Sequence, residues 1–219
     1  NVITGILMSL NDPRWGGQGG GDTDIDGESG DDIMVQDEAV TRNEGMFGFD
    51  WAIVKGAEIA GYADMRIPIF TTEQADILRN RFDKTEALSG WKNDDTLIGD
   101  DRAFGAIAPG DTVATTEGVF FNDGLDQAGI DRIAGPSQIV SVGTTGFFES
   151  GNILLGGAGS DQLRGNGGDD ILDGDRWLNV RIRSAAVGFR LPTYGEQETM
   201  RAASICCDWR QVVLGLPRK

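Results

Sequence analysis

Apolar and polar positions along this chain follow two different rhythms. From Gly156 to Asp173 a large apolar residue returns every nine positions, at Leu163 and Leu172, each time after a run rich in Gly, Asn and Asp. That spacing predicts short strands separated by tight turns, two strands to a coil. Elsewhere the period is two. Phe47, Phe49, Trp51 and Ile53 fall on one side of a predicted strand and Asp50 on the other, and Leu178, Val180 and Ile182 alternate with Asn179, Arg181 and Arg183 in a strand expected to close the structure. Helical spacing is sparse: Thr71 and Gln74 form a capping-box pattern ahead of Ile77, Leu78 and Phe82. Leu125 to Ala134 predicts a second short helix ended by Gly135-Pro136, and Val113 to Phe121 a strand. The acids around them, Glu117, Asp123, Asp126 and Asp131, read as a solvated surface.

The nine-residue units carry the chemistry. Gly156-Gly-Ala-Gly-Ser-Asp161-Gln-Leu163-Arg and Gly165-Asn-Gly-Gly-Asp-Asp170-Ile-Leu172-Asp both fit G-G-x-G-x-D-x-U-x, with U apolar. The first six residues must turn with backbone at positive φ, which Gly tolerates, and the last three extend. Asp161 and Asp170 then sit at the turns. With Asp169 and the turn residues Gly157, Gly159, Asn166 and Gly168, they offer the hard oxygen ligands that Ca²⁺ takes. A flexible Gly/Asp linker would not need an apolar residue at fixed phase.

Two degenerate units share the pattern. Gly27 to Val35 has Asp32 at the ligand place and Met34 at the core place; Gly90 to Ile98 has Asp95 and Leu97, with Asn93 where Gly is usual. Asp22, Asp24, Asp26 and Gly27 also open an EF-hand-like loop, but its twelfth position is Ile33 and Gly16 to Gly21 cannot supply a flanking helix. The nonapeptide reading prevails, with the three aspartates as additional oxygens. Asn152 stands 18 residues before Asp170, so an ion is expected between Ser150-Gly-Asn152 and Gly168-Asp-Asp170. Asp161, on the opposite side, is expected to have no partner, because Asn179 lies in the alternating strand.

The expected fold is mainly β: a parallel β-roll of calcium-binding nonapeptides over residues 1–183, with irregular insertions at 36–89 and 99–149 and one or two short helices. Met34, Leu97, Leu154, Leu163 and Leu172 are expected to share its core. Residues 184–219, Arg-rich and Pro-bounded, form a tail of unassigned role that carries the adjacent Cys206 and Cys207, read as free thiols.

The units resemble those of RTX (hemolysin-type) calcium-binding proteins. EGMFGFDWAIVKG (Glu44 to Gly56), RFDKTEALSGWKNDDTLIGDDR (Arg81 to Arg102), GNILLGGAGSD (Gly151 to Asp161) and GDRWLNVRI (Gly174 to Ile182) are similar to the RTX-bearing region of large bacterial proteins that also carry an animal-type haem peroxidase domain. The resemblance implies type I export, a secreted or cell-surface location, and attachment to the rest of a larger extracellular protein. The start on Asn rather than Met adds the expectation of a piece of something longer, without a secretory signal.

Charge narrows the partners. Asp and Glu outnumber Lys and Arg by 35 to 19, a net −16, and residues 1–175 hold 11 basic groups against 32 acidic ones. So acidic a chain repels nucleic acid and attracts cations, and without them it repels itself, so folding is expected to await Ca²⁺. The apolar run Val2 to Leu10 is too short and too interrupted to span a membrane. The chain contains no His, so it supplies neither the proximal nor the distal group of an animal-type haem peroxidase, and its acids form no glycosidase constellation. The expected role is therefore non-catalytic. The alternatives are an adhesive or carbohydrate-binding appendage using exposed aromatics, or an accessory region of a haem peroxidase.

Overall fold

A computed structural model describes residues 23–28, 30–36, 40–102, 124–148, 151–180 and 213–215. The strands are short: β1 (Thr23–Asp26), β2 (Ile33–Val35), β3 (Thr41–Glu44), β4 (Trp51–Ile53), β5 (Tyr62–Asp64), β6 (Arg81–Asp83), β7 (Ala87–Ser89), β8 (Thr96–Ile98), β9 (Ile153–Leu155), β10 (Gln162–Arg164), β11 (Ile171–Asp173), β12 (Trp177–Asn179) and β13 (Val213–Gly215). Helix α1 spans Gln74–Ile77 and α2 Gln127–Arg132. The protein is thus mainly β, with two short helices among the described residues.

One sheet is five-stranded and parallel, in the order β11-β9-β7-β4-β2. Two three-stranded parallel sheets, β1-β3-β6 and β10-β8-β5, lie across from it, and Pro68 just after β5 bridges Phe82 of β6. The chain passes back and forth between them, so neighbouring rows are far apart in sequence. Ile33 pairs with Trp51 and Ile153 with Ile171, each 18 residues on, whereas Ala87 pairs with Ile153 and Thr96 with Gln162 across 66 residues. Sixty-six is one 18-residue period plus the 48 residues 103–150.

A three-residue strand sends its first and third side chains one way and its second the other. In the inner strands of the five-stranded sheet, β4, β7 and β9, both directions are buried. Met34, Ala52, Leu88 and Leu154, all middle residues, join Ile25, Ala63, Phe82 and Leu97 of the facing strands and Met65 just after β5 in one core, and Leu163 packs against it. The flanking residues Ile33, Trp51, Ile53, Ala87, Ile153 and Leu155 form a second core on the outer face, beneath Leu125, Ile130, Ile133, Val140 and Phe148. Each fully buried Leu or Ile contributes about 1.5–3 kcal/mol. Burial on both faces explains the apolar run ILL in β9, since parallel strands covered on both sides lose the polar alternation.

Several expectations require correction. Leu172 is 45% exposed rather than in the core, because β11 is an edge strand with no further row beyond it among the described residues. The aromatics near residue 50 are not exposed: Phe49 and Trp51 are buried, edge-on to one another at 6.0 Å and with Phe148 at 6.4 Å from Phe49. They therefore form no exposed ligand patch. The helix expected from Thr71 is a single turn without a buried residue or a side-chain cap, and Phe82 belongs to β6. Leu78 is exposed, so this helix had no apolar face to bury, which is where most helical stability in proteins originates. β12 adds no row to the parallel sheets: it pairs antiparallel with β13, which lies in the tail, while its Leu178 is buried with an N–H donating to Ser89 Oγ at 2.8 Å.

Helix α2 lies where the pattern placed it. Asp126 caps it, accepting from Gly129 N–H at 2.7 Å, so this acid is a structural cap rather than simple surface charge. Gly135 at φ 105 turns the chain into a short 3₁₀ segment at Pro136–Gln138. The strand expected at Val113 to Phe121, along with Glu117, Asp123, Ile182, Cys206 and Cys207, lies outside the described residues.

Candidate metal-binding turns

Each strand of the five-stranded sheet is preceded by a polar residue, and these residues form a column: Asp32, Asp50, Glu86, Asn152, Asp170. Asp32 N–H donates to Asp50 Oδ1 at 2.8 Å, Asp50 N–H to Glu86 Oε2 at 2.7 Å, and Asn152 N–H to Asp170 Oδ1 at 2.7 Å. Between Glu86 and Asn152 the link is Asn152 Nδ2 donating to Glu86 O at 3.3 Å. A second column precedes the facing strands, with Gly61 N–H donating to Asp95 Oδ1 at 2.6 Å and Asp95 N–H to Asp161 Oδ1 at 2.8 Å. One carboxylate oxygen of Asp50, Glu86, Asp95, Asp161 and Asp170 thus ties its own turn to a neighbouring one.

The other oxygen differs from rung to rung. Asp95 Oδ2 accepts Trp91 N–H at 2.9 Å, whereas Oδ2 of Asp50 and of Asp161 are buried with no hydrogen-bond partner. They are held against glycines. A Cβ on Gly156 would lie 2.6 Å from Asp161 Oδ2 and one on Gly90 2.5 Å from Asp95 Oδ2; at Gly45 and Gly165 it would come closer still to Asp50 and Asp170. The first Gly of each unit is therefore required by the carboxylate seated on its Cα. Gly157 at φ 106 and Gly159 at φ 139 meet the other demand, a backbone conformation that L side chains rarely adopt, and Asn166 adopts it at φ 72. The stacked turns are further joined by Ala158 N–H to Trp91 O at 2.8 Å and Ser160 N–H to Asp94 Oδ1 at 2.8 Å.

Withdrawal from water dominates the electrostatics. Burial raises the carboxyls of Asp95, Asp161 and Asp170 above the ordinary aspartate range. Asp50 is pushed up to about 10, first by burial and then by the neighbouring Glu86. These turns hold negative charge that only a proton or a cation can compensate. Among the described residues no three acidic, His or Cys side chains converge on one point, so a cation held here would draw on a pair of stacked carboxylates and on backbone carbonyls of the turns. A buried carboxylate oxygen without a donor, on a glycine cradle, fits a hard oxygen-seeking ion such as Ca²⁺.

The sequence-predicted ligands take different places. Asp32, Asp95, Asp161 and Asp170 stand in the two columns, and Gly157, Gly159, Asn166, Gly168 and Asp169 line the turns next to them. Asn152 does stack on Asp170, but through its backbone; its side chain is buried and taken up by Asp100 N–H at 2.9 Å and Glu86 O. Asp24 and Asp26 lie on β1 instead of a turn, Asp24 in an ion pair with Arg42 and Asp26 accepting Glu28 N–H at 3.1 Å. Asp22 lies outside the described residues. Asp161 has the partner it was expected to lack, and that partner is Asp95.

Two units escaped the pattern. Gly45-Met-Phe-Gly48-Phe-Asp50-Trp-Ala52-Ile has Gly, Gly and Asp at the right places, masked by Ala at the apolar position and by aromatics that read as simple alternation. The other is split: Gly99-Asp-Asp-Arg102 and Gly151-Asn152 complete one turn around residues 103–150, with Gly99 N–H on Arg164 O at 2.8 Å and Gly167 N–H on Asp101 Oδ1 at 3.1 Å. Comparison of the chain with family models, with curated proteins and with solved structures finds no match. Among the described residues no helix is long and apolar enough to cross a membrane.

Proposed function

We propose that this chain is a non-catalytic calcium-binding module, a parallel β-roll of the RTX kind that folds on Ca²⁺ after export and supports or presents the rest of a larger secreted protein. The observation that carries the reading is the pair of buried carboxylate oxygens, Asp50 Oδ2 and Asp161 Oδ2, each seated against a turn glycine and lacking a donor. The recurrence of the Gly and Asp places at 18-residue steps supports it, as does the excess of acid over base. Calcium would be held by stacked carboxylate pairs, Asp32 with Asp50 and Asp95 with Asp161, and by turn carbonyls, and its charge would offset their mutual repulsion. Titration of metal-free protein with Ca²⁺, followed by circular dichroism and calorimetry, should show heat of binding and a gain of β signal, with Mg²⁺ a poor substitute because it demands a tighter octahedral shell. Identical spectra in chelator and in calcium, with no heat of binding, would sink the reading.

A second reading, an adhesive appendage, has one observation in its favour. A groove of about 360 Å³ lies between the 57–62 and 78–80 segments, where Ile59, Leu78 and Tyr62 are exposed and Arg79 stacks 5.0 Å from the Tyr62 ring centroid. Glycan-array binding by calcium-loaded protein, abolished by Tyr62→Ala, would favour it.

A further inference from the structure

The middle of the first column is built differently from its ends. Only Lys84, Thr85 and Glu86 connect β6 to β7, too few for a six-residue loop, and the next rung is the neutral Asn152. Into this stretch reaches Arg102, from the place in the split turn that Gly159 and Gly168 occupy in the intact units. Its guanidinium forms an ion pair with Glu86 Oε1, and its Nε lies 3.6 Å from Asp100 Oδ2. The other oxygen of Glu86 accepts Asp50 N–H at 2.7 Å, and the Glu86 side chain is 3% exposed. A carboxylate so buried requires a compensating charge, and here the chain itself supplies one.

We propose that Arg102 is the resident cation of this central rung, so that the middle of the column is held without metal and calcium loads only on flanking turn pairs, Gly27 to Asp32 on Gly45 to Asp50 in the first column and Gly90 to Asp95 on Gly156 to Asp161 in the second. The assignment of the flanks rests on the calcium reading above; the role of Arg102 does not. The device makes calcium dependence local. The calcium-driven folding proposed above is then completed at the turns with unmatched carboxylates, while the rows around Glu86 and Asn152 keep their order without the ion.

Hydrogen exchange read by mass spectrometry on the whole chain tests this. In chelator, amides of residues 86–89 and 152–155 should stay protected, while those of 90–98 and 156–164 exchange at least about tenfold faster than in calcium. Arg102→Gln should speed exchange at the central rows by about tenfold or more in chelator, and calcium should not restore them. Arg102→Lys should restore them in part, and pairing Arg102→Gln with Glu86→Gln should do so as well, because no buried charge is then left alone. Loss of central protection in chelator in the unaltered chain, or an Arg102→Gln variant indistinguishable from it, would overturn the proposal. Flanking turns indifferent to calcium would instead remove the calcium reading, and the Arg102→Gln comparison in chelator would still decide the role of the arginine.

Discussion

The backbone N–H of Asp95 donates to Oδ1 of Asp161 at 2.8 Å although 66 residues separate them. The bond leaves Asp161 Oδ2 buried and without a donor. Asn at this position would keep the acceptor and place an amide where the second oxygen stood. Asp161→Asn should therefore weaken calcium binding by about tenfold or more, the scale of one charge-assisted contact, while leaving the metal-free melting temperature unchanged or higher. Asp161→Ala should lower both. Calorimetry and thermal melts of the two variants check this, and unaltered calcium affinity in Asp161→Asn would contradict it.

The metal-free protein should be more stable in acid than at neutral pH. The folded carboxyls of Asp50, Asp95, Asp161 and Asp170 are raised above their unfolded values by burial, Asp50 from 3.8 to about 10. A proton held more tightly in the folded state contributes stability that is complete below the unfolded value and is lost as pH climbs toward the folded one. For Asp50 that loss begins above 3.8, because burial first and the neighbouring Glu86 second hold its proton in the folded state. Denaturant melts in chelator at pH 4.5 and pH 8 should show the difference, and Asp50→Asn should flatten it. Calcium binding near neutral pH should release protons, measurable as a dependence of binding heat on buffer ionisation.

Two glycine substitutions separate steric from conformational demands. A Cβ on Gly45 would meet the Lys84 carbonyl and the Asp50 carboxylate, and φ there is not positive. Gly56, at φ 102, has nothing within 4 Å of an added Cβ. Gly45→Ala should cost about 1–3 kcal/mol by overpacking and weaken calcium binding. Gly56→Ala should cost about 1–2 kcal/mol of backbone strain and leave calcium binding alone.

Residues 103–150 should be removable. The Arg102 carbonyl lies 3.0 Å from where a Cβ on Gly151 would sit, so the two ends of the excursion are already side by side. A chain joining Arg102 directly to Gly151 should keep its parallel rows and its calcium response. It should also bind a hydrophobic dye and self-associate, because Phe49, Trp51 and Ile53 lose the cover of Leu125, Ile130 and Phe148. Loss of the β signal on this deletion would show that the excursion is needed to form the rows.

The sequence made legible what depends on local chemistry. Gly157, Gly159, Asp161 and Asp170 stand in their turns, and Met34, Leu97 and Leu154 share one core with Leu163 packed against it, although the units lie far apart. Partnerships were harder to read, because an 18-residue count from Asp161 reaches Asn179 and cannot see that an excursion had shifted the true partner to Asp95. The Gly45 to Ile53 unit was hidden because its inner residue is the small Ala52 and its buried aromatics, Phe49 and Trp51, read as the alternation of an ordinary strand. Leu172 satisfied the pattern, and it is exposed because, among the described residues, the sheet ends at β11.

Gly99 to Asn152 makes one turn of ordinary width whether or not 48 residues depart from the middle of it. Register here is fixed by stacking between rows and hardly at all by the length of chain between them. The position after Arg102 is therefore a natural mounting point for foreign sequence: an enzyme or binding domain whose own termini lie close together could be grafted there and be carried on the rows, in place of the segment the chain carries now.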